Sequence, residues 1–130
     1  MAYSEDHDLR DLCQKVILEN AGFQHLKDCR IAVLRSDKDK KSNGKTVFAD
    51  TEKLNDKHCL MTGYDFVITF YAACSRLSQK AMYILAAHEL SHVGFEMRPG
   101  GPVKSIIPHD VEDFRFILER FGVDWIHMRD

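Results

Sequence analysis

Five consecutive residues, His88-Glu89-Leu90-Ser91-His92, carry the strongest chemical pattern in the chain. Two histidines four apart on a helix project to one side, the spacing at which both imidazoles reach a single metal ion. Zinc suits such a pair because it is borderline soft, and a catalytic site with three protein ligands keeps one position for water. Glu89 is then placed to take a proton from that water and pass it to a leaving amine, while the ion acidifies the water and polarises the scissile carbonyl. With seven histidines in 130 residues, chance alone would produce the pattern in about two such sequences per hundred, so its context has to decide. At about 100° per residue, Glu89 and His92 fall on the same arc as Met82, Leu85 and Val93, with His88 at its edge. Turning a carboxylate and two imidazoles toward a core costs several kcal/mol unless they have partners, and a shared metal ion removes that cost. The bland alternative is a helix with two surface histidines.

A catalytic zinc site needs a third ligand, and the remaining histidines are His7, His25, His58, His109 and His127. His109 is the best placed, because it follows His92 beyond a Gly/Pro segment that can fold the chain back toward the motif helix. Asp110, Glu112 and Asp113 come directly after it. They are candidates to accept the second N–H of a metal-bound imidazole, and Asp110 or Glu112 could replace His109 as ligand; equally, they supply the negative charge that favours a helix N-terminus. A regular helix through His109 would aim it away from the Val111, Phe114 and Leu118 stripe, so His109 is expected at or just before the helix start. Tyr64, Tyr71 and Tyr83 could donate to a developing oxyanion but read first as core or rim aromatics. His58 reads as a loop histidine, and Trp125 as a packing anchor.

The elements that must hold these residues follow from periodicity. Ser4 to Asn20 has Leu9, Leu12, Cys13, Val16 and Ile17 at helical spacing with Gly22 behind it, which predicts a first helix. Ile31–Leu34 and Lys45–Ala49 predict two strands joined by the charged segment Ser36–Gly44, and Phe66–Tyr71 has the strongest strand signal in the chain. Ser78 is an N-cap candidate for a motif helix running to Val93, with Gly94 as its stop. Arg98-Pro99-Gly100-Gly101-Pro102 breaks regular structure, and a last helix starts near Pro108 and closes at Gly122. The expected architecture is α+β: a small sheet of about three strands packed with an N-terminal helix, the motif helix and a C-terminal helix, in one domain spanning residues 1–130. Phe66–Tyr71 would form the rim of the cleft, where an unpaired edge could hold an extended peptide.

Bulk properties narrow the function classes. A net charge of −2 from 18 basic and 20 acidic residues gives no overall pull toward nucleic acid or anionic membrane. The local patch Lys38, Lys40, Lys41 and Lys45 is interleaved with acids and turn formers and reads as a solvated loop. No stretch approaches the roughly 20 apolar residues of a membrane span, and Met1–Arg10 lacks the apolar region of a secretory signal, so a cytoplasmic protein is expected. Cys13, Cys29, Cys59 and Cys74 contain no C-x-x-C pair and read as reduced, packed thiols.

Three stretches together resemble the phage metallopeptidase domain found in phage and prophage genomes: Gly63-Tyr64-Asp65-Phe66-Val67-Ile68, Ala87 to Gly94 around the motif, and His109-Asp110-Val111-Glu112-Asp113-Phe114 with Gly122 to Trp125 behind it. With Lys45 to Leu54 they cover most of residues 30–125. The resemblance implies a minimal gluzincin-like, zincin-type core, with His88 and His92 as zinc ligands, Glu89 as catalytic base and a downstream residue, here His109, completing the site. It implies hydrolysis of a protein or peptide substrate inside a bacterial host cell. In architecture the chain is similar to Spartan-type proteases, which act on DNA-bound protein, and to metallopeptidases that cleave phage repressors. A chain this small has little room for a deep specificity pocket, so an adaptor protein could present the target. The rival reading is a non-catalytic zinc-stabilised protein-binding module of phage or prophage origin; a metal-free structural domain is a third.

Overall fold

The computed structural model describes residues 2–108. The expected C-terminal helix, and with it His109, Asp110, Glu112, Asp113 and Trp125, lies outside the described residues.

A four-stranded mixed sheet is built from β1 (Tyr3–Glu5), β2 (Ile31–Ser36), β6 (Phe66–Phe70) and β5 (Ala49–Lys53), in the order β1-β2-β6-β5. β2 and β6 are parallel, and the outer strands β1 and β5 run antiparallel to their neighbours. Two separate hairpins, β3 (Lys40–Ser42) with β4 (Lys45–Val47) and β7 (Val93–Arg98) with β8 (Gly101–Ile106), complete the strands. The helices are α1 (His7–Glu19), α2 (Asp56–Thr62) and α3 (Gln79–Leu90), with 3-10 segments at Ala21–Asp28 and Ala72–Arg76. The α+β reading therefore holds, with one more strand in the main sheet than expected and two hairpins in addition. No helix among the described residues is long and apolar enough to cross a membrane.

Period-two alternation sets the core. Phe66, Ile68 and Phe70 share one face of β6 and are almost fully buried, each stabilising the fold by roughly 2 kcal/mol through lost apolar exposure. The register puts Val33 of β2 beside Ile68, and Ala49 and Thr51 of β5 beside Phe70 and Ile68, all on that same face. α1 contributes Cys13 and Val16 to this core, and α3 contributes Ile84, Leu85, Ala86, Ala87 and Leu90. The Tyr83 hydroxyl donates to Glu19 Oε1 at 2.8 Å and accepts from Asn20 Nδ2 at 3.0 Å, which fastens α3 to the end of α1.

Several local signals are visible in the contacts, the Ser78 cap and the free thiols among them as the sequence predicts. Ser78 Oγ accepts from the Ala81 N–H at 3.1 Å and caps α3. Asp6 caps α1 in the same way through Leu9. All four cysteines are free thiols. The lysine-rich loop is the β3–β4 hairpin, whose Asn43-Gly44 tip has φ of 52° and 77°, the pair of positive values that a tight two-residue turn demands.

Four expectations need correction. The first helix starts at His7 rather than Ser4, because Tyr3–Glu5 pairs with β2 as a strand, and the strand expected over Lys45–Ala49 is split between β4 and β5, which lie in different sheets. The motif helix ends at Leu90 rather than Val93, because Val93 pairs with Ile106 and Gly94 with Ser105 in the β7–β8 hairpin. The strand carrying Phe66 to Phe70 is central, flanked by β2 and β5, so β5 takes the edge position expected of it.

Candidate metal centre

The motif straddles a boundary between elements. His88 and Glu89 belong to the last turn of α3, whereas His92 lies two residues past it in the turn that leads into β7. The chain stays wound there: the Ser91 N–H donates to the carbonyls of Ala87 and His88, the His92 N–H donates to the Glu89 carbonyl at 3.1 Å, and Ser91 Oγ donates back to Ala87 O at 2.7 Å. The two imidazoles consequently stay adjacent, with ring centres 5.3 Å apart and planes at 69°.

His92 is held by the far end of the second hairpin. Its Nδ1 lies 2.8 Å from the Ile107 carbonyl. A carbonyl only accepts, so this contact puts the ring proton on Nδ1 and the ring lone pair on Nε2. The Ile107 N–H donates in turn to the His92 carbonyl at 2.7 Å. Hairpin and motif are thereby joined twice at one residue.

Glu89 is buried, 4% exposed. Thr51 lies on the face of β5 that points at α3, and its Oγ1 donates to Glu89 Oε1 at 2.8 Å; the Glu89 carbonyl is also within reach at 3.1 Å. One hydroxyl proton serves one acceptor at a time, and the shorter contact to the carboxylate is the stronger. The surroundings are of low polarity: burial, reinforced by the charge of Glu89, pushes the Cys13 thiol up to about 12. Cys74 rises to about 11 through burial, a Tyr71 backbone hydrogen bond opposing the shift and Glu89 adding to it. Sequence reasoning missed Thr51; its only signal is its place two residues after Ala49, where the expected Lys45–Ala49 strand ends and β5 begins.

The other sequence candidates are elsewhere. His7, His25 and His58 are exposed, with His25 edge-on to Phe95 and His58 on α2 rather than in a loop. Tyr71 donates to Asp50 Oδ2, Tyr83 faces α1, and Tyr64 lines a cavity of about 370 Å³ between α1 and β2. Among the described residues no group of three His, Cys, Asp or Glu side chains has metal-site geometry.

Two adjacent imidazoles and a buried carboxylate at the end of a helix are the side chains that the H-E-x-x-H pattern of metallopeptidases brings together. The chain belongs to one family of that class: the family described as putative phage metallopeptidase matches it over residues 1–130. No curated protein and no solved structure matches it.

Proposed function

We propose that the chain is a zinc-dependent peptidase in which His88, His92 and His109 hold the metal and Glu89 is the general base. The observation that carries this reading is the ring pair. Two imidazoles sharing one tetrahedral zinc, each nitrogen ~2.1 Å from it, have ring centres roughly 5 Å apart, and His88 and His92 stand at 5.3 Å. The donor chemistry fits as well, since the Ile107 carbonyl selects the tautomer of His92 that coordinates through Nε2. His109 follows Ile107 by two residues, a span of at most ~7 Å, so the hairpin returns the chain to the motif where the third ligand is needed.

Zinc, when bound, supplies a Lewis acid that activates water and polarises a carbonyl. The chain's own residues do the rest. Glu89, desolvated at the helix end, accepts the proton of the attacking water and delivers it to the departing amine. Thr51 keeps one carboxylate oxygen occupied and fixes the plane of the other. β5 ends the sheet, and its outer main-chain groups suit an extended peptide lying beside Glu89. The substrate is accordingly a flexible protein segment, presented alone or by an adaptor, inside the bacterial cell that a phage-family protein serves.

The test is elemental analysis of the purified protein, its His88→Ala, His109→Ala and Glu89→Gln variants, with each incubated with unfolded casein and products read by mass spectrometry. The expected result is one zinc per chain in the parent, loss of both zinc and cleavage in the two histidine variants, and loss of cleavage with zinc retained in Glu89→Gln. Absence of zinc from the parent after supplementation overturns the metal centre; zinc lost from Glu89→Gln makes Glu89 a ligand and overturns its role as base.

A further inference from the structure

Gly94 sits two residues beyond His92, in β7, where a helix stop would be expected from sequence. A Cβ placed on it would lie 2.6 Å from Ile107 Cγ1 and 2.8 Å from Ile107 Cδ1, closer than carbon atoms approach without something moving. Ile107 has little freedom to give way. It is β-branched, with a restricted χ1, and packs against the core cluster. Its N–H and carbonyl are both committed to His92, at 2.7 and 2.8 Å.

From this geometry we infer that Gly94 is a positioning residue for the metal centre: its missing side chain lets Ile107 sit close enough for its carbonyl to hold His92 Nδ1–H. The inference rests on His92 being a metal ligand and extends that reading to the residue that sets its tautomer and aim. Burial alone does not require glycine here, because Gly94 pairs with Ser105 in an ordinary antiparallel ladder that accepts alanine. The constraint comes from the Ile107 side chain, and removing that side chain lifts it while leaving the carbonyl in place.

The experiment is a double-mutant cycle on zinc affinity, measured by competition with a chromophoric chelator on the full chain. Gly94→Ala should weaken zinc binding about tenfold or more, the range typical of losing a partner to a ligating histidine, and the Gly94→Ala/Ile107→Ala double variant should return to within about threefold of Ile107→Ala alone. Undiminished affinity in Gly94→Ala overturns the inference, as does a double variant no tighter than Gly94→Ala. In the zinc-free parent, long-range ¹H–¹⁵N spectra of the histidine side chains should show His92 protonated on Nδ1; protonation on Nε2 overturns the inference even if Gly94→Ala does not fold. A parent that binds no zinc overturns the peptidase reading itself, whereas a zinc-binding parent with an indifferent Gly94→Ala variant overturns this inference alone.

Discussion

Asp65 lies at the entrance to β6 and is 2% exposed. Lys104 Nζ stands 2.6 Å and Arg30 Nη2 3.3 Å from its Oδ1, and the Arg30 backbone N–H donates to Oδ2 at 3.1 Å. Burial by itself would raise the carboxyl, but the hydrogen bonds from Lys104 and Arg30 outweigh it and hold the group at about 2 against an ordinary 3.8. Because the folded-state value is depressed, the ionised group stabilises the fold fully above the unfolded value, and that stabilisation disappears as the pH falls through about 2. A difference of this size is worth about 2 kcal/mol, reduced toward ~1 kcal/mol by the solvent around the two cations. Asp65→Asn removes the pH-dependent part. Urea unfolding of parent and variant between pH 2 and 7 should show a stability gap of about 1–2 kcal/mol on a plateau above pH 5, shrinking steadily toward pH 2. A gap of constant size across that range would refute the assignment. Since Lys104 belongs to β8, the same variant should also loosen the hairpin that carries Ile107.

Two further outcomes follow from other contacts. Thr51→Val leaves Glu89 with one donor fewer in a buried site and should lower the unfolding free energy by about 1–2 kcal/mol, with Thr51→Ser recovering most of it; a valine variant as stable as the parent in urea contradicts the contact. Cys13, with its thiol pushed up to about 12 by burial and by Glu89, should resist iodoacetamide at pH 8 in the native protein and react after unfolding; native alkylation at Cys13 detected by mass spectrometry would refute its burial.

How much of this was readable from sequence depended on whether the deciding force was local. α3 was legible because Ser78 caps it and its apolar residues follow without a breaker. Its end was not, because Val93 and Gly94 obey pairing with Ser105 and Ile106, residues more than ten positions ahead, rather than helix propensity. The Asn43-Gly44 turn joins strands of only three residues each, too short for alternation to show inside the charged Ser36–Gly44 segment. α2 has no buried residue, so periodicity had nothing to report; only Asn55 as cap and Gly63 as stop marked it. Of the site, the motif identified His88, Glu89 and His92, while Thr51 and Ile107 could not be read, since each acts through a contact that exists only once the sheet and hairpin have closed. The edge role passed from the Phe66 strand to β5 for a related reason: strand order is a tertiary property, and the most hydrophobic strand takes the centre, where both neighbours shield it.

The parallel pairing of β2 with β6 also governs the order of assembly. Ile31 meets Phe66 and Val33 meets Ile68, so the middle of the sheet joins segments separated by about 35 positions of chain, with a hairpin, a strand and a helix in between. Closing such a loop is entropically expensive before any contact repays it. The antiparallel β5–β6 pair, linked only through α2, forms over a shorter loop and is the natural early unit. On a ribosome, the first helix and β2 emerge well before the partner they need, and they wait exposed until Phe70 has cleared the exit. The hairpin that seats His92 is made later still, so a chain truncated or stalled before Ile107 would carry a paired four-stranded sheet and an unassembled centre.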